Sequence, residues 1–251
     1  MMNKTIHASI LLTISILIFW ELLGKHFDKF KFFASRPSDF FSVWLTELTR
    51  ASYWLDLNST CSTLFVGYGI ALVLGYCIGV GTYWLKSKGI TLEVWLLILG
   101  SVPVFALAPL LILALGAGIG TRIAVVILST VFLVSSGVYQ SCKYADEQFG
   151  SIARDLSAKE SLLWLKIILP GGVIFSIPTL KGGVALSLIG IFVAEWISST
   201  HGLGKYILSA MSLYDAARLV VGILSFMVVS SIAMIIITVI EDRTTRWRSY
   251  R

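Results

Sequence analysis

Apolar runs of about twenty residues alternate with short polar stretches along almost the whole chain. A bilayer core about 30 Å thick needs about 20 residues of helix, because each residue rises about 1.5 Å and lipid offers no partner to exposed backbone groups. Six segments meet that need: 6–23, 59–84, 93–115, 121–141, 173–198 and 217–240. The first follows Lys4 and outlines a signal peptide. Its apolar run reaches Leu23 and meets Lys25-His26-Phe27-Asp28 without a small-residue cleavage site, so it reads as a retained anchor. Between the first two runs, Pro37-Ser38-Asp39 starts a segment with Phe40, Phe41, Trp44, Leu45 and Leu48 at helical spacing, an amphipathic surface helix over 37–50.

Composition agrees with that pattern. The 251 residues are 57% hydrophobic and 14% charged, where a soluble domain carries about a quarter charged residues, and mean hydropathy is +0.86. This is an all-α polytopic membrane protein, read as one domain over 1–251. Net charge is +6, and Arg243, Arg246, Arg248 and Arg251 crowd the C-terminus. Basic residues mark cytoplasmic loops, so six spans place both termini inside, with Lys86, Lys88, Lys143, Arg154, Lys159 and Lys166. Lys25, Lys29, Lys31, Arg36 and Arg50, in the loop 24–57, oppose that orientation. The basic excess suits anionic lipid headgroups, and no stripe suits nucleic acid. Cys61, Cys77 and Cys142 are scattered, as are His7, His26 and His201, so no disulfide framework, metal site or catalytic constellation is indicated.

Small residues recur every four positions at Gly67, Ala71, Gly75 and Gly79, and again at Gly183, Ser187, Gly190 and Ala194. Such faces let helices approach closely, serving packing, a dimer seam or a pathway wall. Charge at membrane depth is costly, about 2.5–3.5 kcal/mol at a helix centre. Lys181 and Glu195 stand near opposite ends of the fifth run, as boundary charges or neighbours of a polar pathway. Pro103 and Pro109 imply a kinked third span.

One stretch interrupts the apolar pattern: Ile152–Pro170, IARDLSAKESLLWLKIILP. Phe149, Ile152, Ala153, Leu156 and Leu163 keep helical spacing, with Arg154, Asp155, Lys159 and Glu160 on the remaining surface. Leu169-Pro170-Gly171-Gly172 should then break the helix and turn the chain into the next span. The segment suits either a helix seated in the groove of a soluble protein or a plain surface loop.

That stretch resembles the EAA loop of ABC-transporter permeases, with Ala153 at the last alanine of the triplet, Leu156 before the glycine position, Ala158 after it, and Leu169-Pro170 as the ending. Residues 62–79, 101–123, 180–197 and 201–207 are similar to permeases of the nitrate, sulfonate, taurine and bicarbonate importers, and the likeness covers roughly 35–248. Ser151 and Ile152 depart from the usual glutamate and alanine, Ser157 from glycine and Phe65 from arginine. Serine for glycine reads as tolerable on a helix. The missing glutamate would weaken or retune the ATPase contact.

The resemblance implies a type I ABC importer permease fold with about six transmembrane helices in a prokaryotic inner membrane. It also implies a paired permease, a homodimer, enclosing the path for a small solute, an anion such as nitrate, a sulfonate, taurine or bicarbonate. A coupling helix over 145–165, with Ala153, Arg154, Asp155, Leu156, Ser157, Ala158, Lys159, Leu169 and Pro170, would meet a dimer of ATP-binding subunits. Pro103, Pro109, Lys181 and Glu195 would belong to the path, with Arg122 a further cation for an anionic cargo. An extracytoplasmic binding protein would touch 37–50 and 199–215. No G-x-x-x-x-G-K-[ST] occurs here, so the chain is no ATPase, holds no cofactor, and leaves ATP and magnesium to its partner. A stand-alone secondary transporter or channel would want an internal repeat of broken helices, which is not evident, and a membrane enzyme would want an acid-base or metal cluster.

Overall fold

The computed structural model describes residues 2–26, 35–198 and 200–245. These residues form helices joined by short turns, without strands: α1 (Met2–His26), α2 (Pro37–Glu47), α3 (Ala51–Ser87), α4 (Glu93–Gly100), α5 (Val104–Leu115), α6 (Ile119–Ala145), α7 (Ser151–Asp155), α8 (Glu160–Leu163), α9 (Leu169–Ile174), α10 (Ile177–Ser198), α11 (Leu203–Ser212) and α12 (Ala216–Thr245). Two π-turns, Asp146–Gly150 and Trp164–Ile168, splice α6 to α7 and α8 to α9. Among the described residues, four helical stretches are long and apolar enough to cross a membrane: Ala51–Ser87, Ile119–Asp155, Ile177–Ile197 and Ala216–Arg243.

The first expected span lies within α1. The third, expected as one kinked helix over 93–115, is instead two helices, α4 and α5, separated by Ser101-Val102-Pro103. Pro103 has no N–H to donate backward and pushes Val102 away from helical backbone, so the helix stops and restarts. Pro109 sits inside α5 without ending it.

The chain, read from sequence as one domain, groups into two compact units. One comprises Met1–Ser59 with His201–Met227, the other Thr60–Thr200 with Val228–Arg251. In the first unit, the Glu21 carboxylate accepts hydrogen bonds from the Ser38 amide and hydroxyl at the start of α2. Arg36, just before α2, forms a two-pronged ion pair with Asp39, which raises the guanidinium's already high pKa. The nearly buried Glu47 accepts from Arg50 at 2.7 Å and Arg218 at 3.2 Å. Tyr53 and Ser225 hydroxyls meet at 2.7 Å. Desolvation first, and the negative charge of Glu47 second, push the Tyr206 phenol upward, so it stays neutral.

The second unit is organised around α6. Val125, Val126, Val131, Val134, Val138 and Cys142 are buried along it at helical spacing. Lipid is as apolar as these side chains, so close van der Waals fit holds the helices together. The glycine faces supply that fit. A Cβ at Gly67 would stand 2.8 Å from Val126, at Gly75 2.6 Å from Val134, and at Gly79 2.5 Å from the Ser135 carbonyl. From α10, Gly183 approaches Thr130, Gly190 approaches Ser129, and Ser187 Oγ meets Thr130 Oγ1 at 2.8 Å. Both small-residue faces are therefore packing surfaces against α6.

Candidate functional site

The charged interruption is a corner between two helical arms. The incoming arm is α6, its π-turn and α7; the outgoing arm is α8, its π-turn and α9. The single helix expected over 145–165 is absent, because α7 ends at Asp155 and α8 begins at Glu160. The stop is a Schellman cap: the Ser157 N–H donates to Arg154 O at 2.8 Å and the Ala158 N–H to Ala153 O at 3.0 Å. That cap needs left-handed backbone at its C′ position, and Ser157 has φ +59°. The position thus lies off the helix, which overturns the reading of serine there as harmless. Leu156 projects from the tip, 79% exposed, with Ile152 and Phe149 exposed behind it.

The ending of the motif also differs from expectation. Leu169-Pro170-Gly171-Gly172 is helical, within α9, and the chain turns later, at Phe175-Ser176. Pro170 stands just after the π-turn Trp164–Ile168, and a local π adjustment of this kind accommodates a proline inside a continuous helical arm. The glycines serve proximity, since a Cβ at Gly171 would lie 2.4 Å from Ala145 Cβ and one at Gly172 2.8 Å from Cys142 Sγ.

A polar cluster at the C-terminal end of α3 pins both arms. Asp146, the first residue of the π-turn, accepts from Tyr83 Oη at 2.5 Å and from Arg154 Nη2 at 2.7 Å. The Tyr83 ring also meets Trp164 of the outgoing arm, with centroids 5.8 Å apart. Tyr76 Oη donates to the Leu169 carbonyl at 3.0 Å. Alongside, Lys86 donates to Tyr139 Oη, and Tyr139 and Gln140 donate to Glu93.

Deeper in the unit, Glu195 is 0% exposed on α10. Its carboxylate accepts from Thr60 Oγ1 at 2.8 and 3.0 Å and faces Arg122 Nη1 at 3.6 Å. Lys181 is ion-paired with Glu241 of α12. Lys181 and Glu195 are thus not partners of one another. Beside α6, a groove of about 550 Å³ is lined by Leu97, Leu133, Gln140, Tyr144, Phe175 and Thr179 among others, with Ser136 and Ser141 hydroxyls bonded to their own helix. No carboxylate or cation lines it, and none of Pro103, Pro109, Lys181 or Glu195 is on its wall.

Comparison with known proteins decides the family. Residues 67–246 match the family described as binding-protein-dependent transport system inner membrane component. The chain belongs to that family. Over 204 residues this permease is 24% identical to a formylaminopyrimidine transport permease of Halalkalibacterium halodurans, covering 80% of this chain and 81% of that one. It is 28% identical over 188 residues to a protein of Bacillus subtilis named as an aliphatic sulfonates transport permease, covering 73% and 67%. A riboflavin transport system permease protein of Chloroflexus aurantiacus is 26% identical over 153 residues, 59% of this chain and 56% of that one. The permease is thus a multi-pass inner-membrane transport component of the ABC importer type.

Missing from the sequence reading were Asp146, Tyr83, Tyr76 and Glu93. The only signal available was their polarity at the ends of apolar runs, which by itself names no partner.

Proposed function

We propose that this chain is the translocation subunit of an ATP-driven importer, and that the 151–163 corner is where a separate ATPase engages it. The observation carrying this reading is the corner itself: an exposed Leu156 on a tip whose backbone is fixed by two cap hydrogen bonds and whose arms are tied to α3. A tip of this kind can be pushed without being deformed. The corner and both termini then face the cytoplasm. Two copies of the permease enclose the path, ATP and magnesium sit on the ATPase pair, and a binding protein delivers solute to the opposite face, around 37–50 and 199–215, of which residue 199 lies outside the described residues. Ala153, Arg154, Asp155, Leu156, Ser157, Ala158 and Lys159 form the contact, and Leu169-Pro170 seats the outgoing arm.

The cargo is a small solute. Both cations suggested for an anion, Arg122 and Lys181, are engaged by carboxylates, while the groove offers Tyr144, Phe175, an amide and hydroxyls without charge. No cation lines the groove to pair with an anion, and an ion without a partner is costly away from water, so the lining favours an uncharged solute. ATP-dependent uptake by the assembled complex tests this. An uncharged pyrimidine should compete for uptake while an alkanesulfonate should not, and the reverse result would restore the anionic cargo. Co-purification tests the coupling: Leu156→Asp should release the ATPase, and undiminished co-purification would refute the proposed contact.

A further inference from the structure

The geometry points to Asp146 as the positioning residue through which displacement of the corner reaches α3. This rests on the reading above that an ATPase moves the corner, and concerns what happens inside the permease afterwards.

Three independent features converge on this carboxylate. It holds one oxygen on each of two elements: Oδ2 accepts from Tyr83 on α3, and Oδ1 accepts from Arg154 on α7, next to the tip. Hydrogen bonds to a charged acceptor are about twice as strong as neutral ones. The spacing Asp146, Gly150, Arg154 puts all three on one side of the incoming arm, and glycine is required between them. A Cβ at Gly150 would lie 1.9 Å from Asp146 Oδ1 and 3.3 Å from Arg154 Nη1, so any side chain would displace the carboxylate. Backbone conformation does not call for glycine at this position, whose φ is −68°. The glycine clears space for the bridge. Third, the π-turn starts at Asp146. A π-turn widens the helix by one residue and lets the arm re-aim its side chains, and such turns often mark functional sites.

Tyr83 completes the junction. Its ring is buried against Tyr139 of α6, centroids 6.0 Å apart, and against Trp164 of the outgoing arm. One α3 side chain therefore holds the incoming arm by a hydrogen bond and the outgoing arm by ring contact. A push on the tip moves both arms together and carries the end of α3 with them. Without the Asp146 bridge the arms still pack and α3 keeps its Tyr76–Leu169 and Lys86–Tyr139 hydrogen bonds, but it loses the charged link to α7 beside the tip.

The test uses the complete complex in nanodiscs, with the native cysteines replaced and one spin label at Lys88→Cys, just beyond α3. Distances between the labels of the two permease copies are measured before and after trapping with ATP and vanadate, which needs no solute. The unmodified junction should shift the label distance on trapping. Asp146→Asn, Tyr83→Phe and Gly150→Ala should each reduce the shifted population about tenfold, as expected for losing a hydrogen bond to a charged group. Tyr83→Phe combined with Asp146→Asn should be no worse than Asp146→Asn alone, because the Asp146 change already weakens the link that Tyr83 makes. ATPase co-purification and a second label at Leu165→Cys, exposed on the outgoing arm and outside the proposed contact, should stay native. A shift that survives Asp146→Asn while the Leu165 label still responds overturns this inference alone. An ATPase that never co-purifies, or a Leu165 label that ignores nucleotide, overturns the reading beneath it.

Discussion

Ser157 shows how one side chain can tune a contact. Its left-handed backbone costs a non-glycine residue about 1 kcal/mol or somewhat more, and the cap at the tip keeps that cost because the two hydrogen bonds from Ser157 and Ala158 require it. Ser157→Gly should raise the melting temperature of the purified complex and leave the corner intact, whereas Ser157→Val should lower it; equal melting of all three would remove the strain argument. Glu195 carries the opposite risk. Replacing it by leucine leaves the Arg122 guanidinium facing a lost carboxylate in a buried site, a change that costs roughly 3–5 kcal/mol. Glu195→Leu alone should abolish folded yield in detergent, and adding Arg122→Met should restore most of it. If the double variant is as poor as the single one, Glu195 matters through Thr60 or another neighbour instead.

Among elements, the glycines of α3 give an internal control. Gly75 and Gly79 meet α6 at distances no Cβ could keep, while Gly69 and Gly81 have nothing within 4 Å of a Cβ position. Alanine at Gly79 should separate the helices and lower thermal stability, yet alanine at Gly69 or Gly81 should be neutral or gain up to about 1 kcal/mol from helix propensity. Parallel losses at all four sites would contradict packing as their role. The every-fourth-residue spacing made this face legible in the sequence, because helical periodicity is a local property. The fate of Pro103 was only half legible: proline announces a disturbance, and whether the helix bends or stops depends on what lies around it. The Gly171-Gly172 pair was misread for a similar reason, since glycines that permit a turn and glycines that permit contact look alike until the neighbour, here Ala145 and Cys142, is known.

For the molecule as a whole, the all-helical membrane class and four of the long spans follow from apolar run lengths, and the family likeness was carried by a few motifs spread along the chain. The polar junction around Asp146 was not legible: Tyr83 lies 63 residues away in sequence, and nothing local pairs them. The left-handed Ser157 escaped because serine gives no conformational signal of the kind glycine does. The central proposal is that an outside motor grips the corner at Leu156 from the cytoplasm. The most direct measurement places a single cysteine at Leu156→Cys and a bifunctional reagent on the ATPase-bearing complex in inverted membrane vesicles. A covalent permease–ATPase product should form with the cytoplasmic face outward and vanish when the cysteine is moved to an exposed site on α5 such as Leu113. A cysteine at Leu156 that reacts only from the opposite face, or cross-links to no ATPase at all, would contradict it.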